Sequence, residues 1–568
     1  MDEKCLKAAV LEGKAYVGLK QYDRAVECYN KAKMIDPTKE CIVNDYIERA
    51  RIRQTAEQDE ETAGQTFEAS GETGLLSVLD KLAKPARPML YYIGGLEVVR
   101  QKLSDAVART LFRTGGGFEL AENHCEIGRC LGSEPRSLNR SDVELTCLYL
   151  TVLREACIDN DENQCHLLTM KHLPPQMMKF IECLADVPAC RDVASTGVDL
   201  LLYLSQTARN RSEIVRCYDT VQLITAAFVL ARRLHDDSVA VNIQRLICNL
   251  ATSDRLRRQL RDDFEQSVLA SFDSLLMSDA LAETARGTLS VKTMVNLCGD
   301  DWLRRRLSDS ASTWSACVGA LSRLANHQFT ELFSTLLSLL SNMAINGTSS
   351  ANRHDLVQLS RICVDLVTQF CASDHDELVD RCYLLLSRIF RPSSDCVQSA
   401  VEKPFIEAVS RDLGYLLHHR HQHERQDSDS DTEILSHCLA AMAACTLHSD
   451  VCRQQVTDRK PSVIRLLVKL LVSHQNCYDD VVVGNAALCL SHCVHLPSAV
   501  SQVTAAARNT DLIMTLLLLA RDQAKPTVQH NCAILIAKLV QQHQPFLDRL
   551  RELHGLEILH TVLRHVEH

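Results

Sequence analysis

Tryptophan occurs only twice in these 568 residues, and aromatic residues together make up 5% of them. Glycine (20) and proline (13) are also sparse. With few turn formers and with leucine, alanine and valine dominant, the composition suits an all-helical chain. No stretch approaches the roughly 18 uncharged apolar residues that a membrane-crossing helix needs, so no membrane span is expected. An excess of positive charge is missing too. A net charge of −10 and a pI near 6.1 count against a bulk nucleic-acid binder. The first residues, MDEKCLKAAV, lack the basic segment and apolar core of a signal peptide.

Active-site motifs are missing as well. Gly115-Gly116-Gly117 has no Gly-Lys-Ser/Thr after it, so it is not a P-loop. No Gly-x-Ser-x-Gly elbow and no His-Glu-x-x-His occurs. No catalytic residue, cofactor or small-molecule substrate is therefore expected. Cysteine, by contrast, is abundant at 25 residues. Residues such as Cys147, Cys248, Cys298 and Cys532 are scattered through helical patterns. They read as reduced, small core hydrophobes of a cytosolic protein. The glycosylation sequons at Asn139, Asn210 and Asn346 are then chance matches.

Two repeat systems are present. Residues 6 to 39 match one tetratricopeptide unit, with Gly13 and Tyr16 on its first helix and Ala25, Tyr29, Ala32 and Pro37 after them. Gly13 and Ala25 are small where two helices cross; Tyr16 and Tyr29 fill the space between. A capping helix is expected over about Glu40 to Glu57. About three such units are needed to bury their faces, so residues 1–57 read as the last unit of a truncated domain. The acidic run 58–72 reads as a linker or a frayed helix end.

Residues 73–568 carry a longer period. Helices resembling CNLATSDRLRRQL can be anchored at Glu155, Tyr203, Asn249, Asn296, Asn342, Arg388, Ala444, His492 and Lys538. By subtraction the gaps are 48, 46, 47, 46, 46, 56, 48 and 46. That period falls within the roughly 40–47 residues of armadillo and HEAT units. The expected fold is all-α: an α-solenoid in which a tetratricopeptide end precedes an armadillo-like superhelix. The long gap holds HHRHQHERQDSDSDTE, residues 418–433, which reads as a disordered insert with candidate phosphorylation sites at Ser428, Ser430 and Thr432.

The repeat also explains Cys489-x-x-His492-Cys493. Zinc takes such ligands, but these residues occupy positions that other copies fill with Asn249 or Lys538 and with apolar groups. No metal is expected there. Most anchors are polar within apolar helices, so they are candidates for a peptide groove. Asn249, Asn296 and Asn342 would form a ladder, with Arg245 and Lys292 one turn earlier and Ser338 before the third. Arg388 and Lys538 add positive charge. Two uses fit these groups: bonding an extended peptide, or bonding between helices.

The unit DEKCLKA…GKA…YDRAVECYNKAKMIDP precedes an array with YYIGGLEVV, RTLFRTGGGF, DVVVGNAALCLSHC and LHGLEILHTVLRHV. This combination resembles a family of tetratricopeptide–armadillo proteins that assemble axonemal dynein arms in motile cilia and sperm flagella. The resemblance implies a cytoplasmic, non-enzymatic factor of ciliated or flagellated cells. Its partners would be dynein chains and other assembly factors. The myosin chaperones of muscle have a related architecture, which makes a co-chaperone mechanism an alternative form of the same role. In their clasp for heat-shock chaperone tails, Lys7 matches a basic position but Leu11 replaces an arginine. The competing reading is a cytosolic armadillo adaptor for transport or adhesion. Import adaptors carry tryptophan one turn before each groove asparagine, and this chain has none there.

Overall fold

The computed structural model describes residues 3–70, 74–122, 126–188, 190–234, 238–278, 285–324, 331–373, 376–422, 429–460, 462–473, 479–508, 510–522 and 524–566. All regular elements among them are helices. None of the single helices is long and apolar enough to cross a membrane. Two compact units make up the chain: Met1–Ala280 with Thr284–Leu297, and Leu281–Glu283 with Cys298–His568.

The first unit opens with α1 (Glu3–Gly18), α2 (Tyr22–Ile35) and α3 (Glu40–Ser70). Ala25 and Ala32 are fully buried and Tyr29 nearly so; Tyr16 packs partly buried against the same cluster. Tyr29 stacks on Tyr46 of α3 with ring centroids 5.6 Å apart. Pro37 opens the short turn after α2, where Asp36 accepts a hydrogen bond from Thr38 N. Gly13 is required by close approach. A Cβ there would lie 2.4 Å from Tyr29 Cε1.

The linker expectation for 58–72 is corrected over its described part. α3 continues through it to Ser70. Glu60 pairs with Arg113 at 2.6 Å, and α3 packs on the helices Ala106–Thr114 and Asp161–Thr169. An acidic surface turn thus becomes a helix contact because a cation faces it. Residues 71–72 lie outside the described residues.

Beyond α3 the chain repeats a three-helix pattern. Ala208–Cys217 and Thr220–Arg233 precede Ser238–Leu250; Asp450–Asp458 and Val463–Val472 precede Asp480–Cys493. Third helices stack in series. In the first unit these are Met89–Lys102, Arg140–Ala156, Cys190–Leu204, Ser238–Leu250 and Ala285–Leu297. In the second they are Glu331–Met343, Asp376–Phe390, Asp429–His448, Asp480–Cys493 and Pro526–Gln542. The period near 46 is therefore the distance from one third helix to the next. Their inner faces are leucine, isoleucine, valine, alanine and cysteine at helical spacing, buried almost without exception.

The insert expectation for 418–433 is also corrected over its described parts, 418–422 and 429–433. Helix Phe405–Gln422 takes in its first part, because Leu413, Leu416 and Leu417 bury one face and carry the helix forward. Helix Asp429–His448 takes in its last part. Its first turn holds Asp431, an acid that suits the positive end of a helix. Residues 423–428 lie outside the described residues. YYIGGLEVV and LHGLEILHTVLRHV share the phrase Gly-Leu-Glu but place it differently. Gly555 opens helix Gly555–Val566, whereas Gly95 lies inside Met89–Lys102, where a Cβ would meet Leu82 Cδ2 at 2.5 Å.

Gly13→Leu is expected to overpack the α1–α2 crossing and cost about 1–3 kcal/mol. Limited proteolysis and hydrogen exchange check it: protection should fall over residues 3–35 first. Unchanged protection there would show that the crossing tolerates a side chain.

Candidate functional site

A helix end leaves its last carbonyls without partners inside the helix. At the third helices, those carbonyls lie against the next repeat. The next repeat supplies the donors, and the polar anchors are among them. Asn249 Nδ2 donates to Ser205 Oγ at 3.1 Å, and Asn296 Nδ2 to Cys248 O at 3.0 Å. Tyr203 Oη reaches Cys157 O at 3.4 Å. In the second unit Arg388 donates to Ser341 O and, at 3.1 Å, to Ser341 Oγ. Lys538 Nζ donates to Ser491 O at 2.8 Å. Each partner stands 44 to 48 residues earlier, one repeat back. Asn342 is half-buried and makes no hydrogen bond among the described residues.

A second row runs two turns before the first. Asn242 Nδ2 donates to Asp199 at 3.1 Å, Arg381 to Ser334, and Asn531 Nδ2 to Gly484 O at 2.9 Å. His437 Nδ1 meets Asp380 at 2.6 Å. Arg245 and Lys292 remain exposed, and among the described residues the Arg245 side chain bonds Asn242 of its own helix, at 3.2 Å.

A third set was not singled out from sequence. First helices begin at a capping residue, and an arginine four residues on folds back over the preceding third helix. Asp105 pairs this way with Arg109, Thr207 with Arg211, Ser253 with Arg257, Asp300 with Arg304 and Ser449 with Arg453. Arg109 bonds Leu103 O at 2.9 Å, Arg211 bonds Ser205 O at 3.0 Å, and Arg257 bonds Ala251 O at 3.2 Å. Arg304 bonds Cys298 O at 3.3 Å and Arg453 bonds Thr446 O at 2.6 Å. Gln164, four residues after Asn160, does the same for Cys157 O at 2.9 Å. The signal was legible as a recurring cap-x-x-x-Arg spacing.

With this geometry in view, the chain was compared with known proteins. No family model matches it. Over its full length it is 28% identical to tetratricopeptide repeat protein 12 of Mus musculus and equally to that of Homo sapiens, covering 76% of each. This chain is similar to tetratricopeptide repeat protein 12 along its whole length. Among solved structures it superposes on a chain from a study of the interaction between cadherin and beta-catenin. There the TM-score is 0.60 at 13% identity, covering 93% of this chain and 96% of that one. It also superposes on SYS-1, with a TM-score of 0.60 at 12% identity, covering 83% and 86%. The complex of SYS-1 with POP-1 gives 0.61 at 13% identity over the same shares. The fold is an all-α armadillo-type solenoid. The resemblance to tetratricopeptide repeat protein 12 extends over the tetratricopeptide unit and the array together.

The Cys489, His492, Cys493 face has a specific environment. His492 is buried, and its Nδ1 lies 3.1 Å from Thr446 Oγ1 of the preceding third helix. Burial, with Lys538 and Arg453 as cationic neighbours, lowers its pKa to about 4. Cys489 and Cys493 are fully buried, and the hydrogen bond that Cys493 donates to Cys489, together with burial, pushes the Cys493 thiol up. Among the described residues no group of three or more potential ligands is placed to hold a metal ion. In the tetratricopeptide unit, Lys7 is exposed on α1, and so is Leu11 one turn on, 64% accessible.

The His492 environment sets a pH dependence. In the unfolded chain the ring takes up its proton near pH 6.5, in the folded chain only near 4. Between these values the unfolded state binds more protons, so this contribution is full above pH 6.5 and is lost as pH falls toward 4. Denaturant midpoints should show the second unit losing about 2 kcal/mol more between pH 7 and pH 5 than the His492→Gln variant does. Equal losses would mean that His492 is not held neutral by burial.

Proposed function

We propose that the chain is a non-enzymatic cytoplasmic scaffold, or co-chaperone, for assembling axonemal dynein arms in motile cilia and flagella. Its clients would be axonemal dynein chains and other assembly factors. The carrying observation is the full-length similarity to tetratricopeptide repeat protein 12, on an armadillo-type fold. The dynein reading itself follows the family resemblance of the repeat combination. The client surface we assign is the exposed edge of the third helices.

The hydrogen-bond geometry refines that surface. Asn249 and Asn296 each use one amide hydrogen between repeats. Each keeps its amide oxygen, and Asn249 a second N–H; the Asn296 amide nitrogen also lies 3.5 Å from Cys248 Sγ. Asn342 is the least committed of the three, and Arg245 and Lys292 are exposed beside the first two. Amides would bond a client's backbone, while the cations would favour acidic sequence. Exposed charge pairs contribute only about 0–1 kcal/mol each, so the amides should matter at least as much. Lys7 and the exposed Leu11 offer one cation and one apolar contact to a chaperone tail, fewer charges than an arginine at 11 would give. The two tryptophans lie off the third helices: Trp302 in the first helix Asp301–Asp309, and Trp314, fully buried, in Ala311–Leu324. This favours the assembly reading over an import adaptor.

The test is a folded Asn249→Ala, Asn296→Ala, Asn342→Ala variant beside a Ser205→Ala control. Ser205→Ala removes one rung and leaves every amide in place. The triple variant should lose dynein heavy-chain recovery in pull-downs and fail to restore dynein arms in deficient cells, while the control does both. Full rescue by the triple variant would place the binding surface elsewhere.

A further inference from the structure

The corner between the third helix Asp429–His448 and the first helix Asp450–Asp458 concentrates thiols. Cys445 Sγ lies 3.0 Å from Cys452 Sγ, about 1 Å beyond a covalent bond of about 2.05 Å. Both side chains are fully buried, and Cys489 and Cys493 of the next third helix are buried beside them. Most of the chain's cysteines serve as single small core residues. In this pair the two sulfurs face each other across the turn between two helices.

The two cysteines are not chemically equal. Cys452 is the third residue of its helix, and its backbone N–H donates to the capping Ser449 Oγ at 3.2 Å. A helix N-terminus favours a thiolate, as does an adjacent cation, and Arg453 is the next residue. Cys445 donates its S–H toward Cys452. That hydrogen bond, with Ser449 and Arg453, holds the Cys452 thiol below its ordinary range, whereas burial pushes Cys445 up. Val451, adjacent to Cys452, is 51% exposed, and the helix is nine residues long.

We propose that Cys445 and Cys452 are a peroxide-responsive dithiol that closes to a disulfide within one repeat. The oxidant is hydrogen peroxide, small enough to reach an inner helix face. The Cys452 thiolate attacks one peroxide oxygen, and the O–O bond breaks. Hydroxide leaves, takes up the thiol's former proton and becomes water; Cys452 becomes a sulfenic acid. Cys445 sulfur then attacks Cys452 sulfur, and its proton leaves with the hydroxyl group as a second water. Two thiols lose two electrons and two protons, and peroxide takes up both to become two waters. The bond would tie the corner that already holds Arg453 on Thr446 O and Thr446 on His492.

The experiment uses the whole folded chain with hydrogen peroxide as the probe, followed by removal of the peroxide, denaturation in the presence of the alkylating reagent, and tryptic mapping. Residues 426–453 form one tryptic peptide carrying Cys438, Cys445 and Cys452. After peroxide it should be lighter by two hydrogens and alkylated at Cys438 alone. Dithiothreitol should restore all three alkylations. A Cys489→Ser, Cys493→Ser variant should give the same disulfide, since neither residue is part of the pair. In Cys445→Ser the sulfenic acid at Cys452 should persist and be captured by dimedone. The proposal is overturned if both thiols stay fully alkylatable at doses that oxidise exposed Cys41, or if Cys452 links to Cys489 or Cys493 instead. The wild-type map decides the matter even where a serine variant fails to fold.

Discussion

The constraint on which the stack depends is the set of carbonyls at the end of each third helix. They are turned toward the next repeat and away from bulk water. A buried carbonyl without a partner costs on the order of 1–3 kcal/mol. Repeat after repeat, the donor comes from the following unit: Arg257 at Ala251 O, Asn296 at Cys248 O, Arg388 at Ser341 O, Lys538 at Ser491 O. A repeat is thus incomplete without its successor, which is the physical content of a solenoid's nearest-neighbour stability. The same logic ties α3 to the array through Glu60 and Arg113.

Polar rows of this kind have two possible employers, the neighbouring repeat and a bound chain. The structure commits one donor each of Asn249, Asn296 and Lys538 to the neighbour. What remains for a client is the second half of each amide, the uncommitted Asn342 and the exposed cations Arg245 and Lys292. Binding built on such residues adds to contacts already present, so the surface is pre-ordered before a client arrives. Pre-ordering lowers the entropy lost on binding.

Much of this was legible from residues alone. A period near 46 gave the third helices, because polar positions recurring inside apolar helices mark one face. Gly13 against Tyr29 followed from the tetratricopeptide spacing. The partners of the polar row were not legible, since each lies about one repeat back and spacing alone does not choose between a client and a helix. Composition misled over the described parts of 418–433, and at 58–70 wherever it suggested a linker. Acid-rich and histidine-rich runs read locally as solvated, yet Glu60 meets a cation 53 residues on and Leu416 and Leu417 carry a helix into the second run. The arginine clamps were missed because surface arginines on short helices usually have no structural duty, and only their constant distance from a cap gives them away.

The central claim is that the asparagine row bonds repeat to repeat. A double-mutant cycle on Asn249 and Ser205 tests it most directly, with Asn249→Ala, Ser205→Ala and the double variant compared by denaturant unfolding. The expected coupling is about 0.5–1.5 kcal/mol, the worth of one hydrogen bond between half-buried groups. Additive effects, with coupling near zero, would contradict it and return Asn249 wholly to a bound partner.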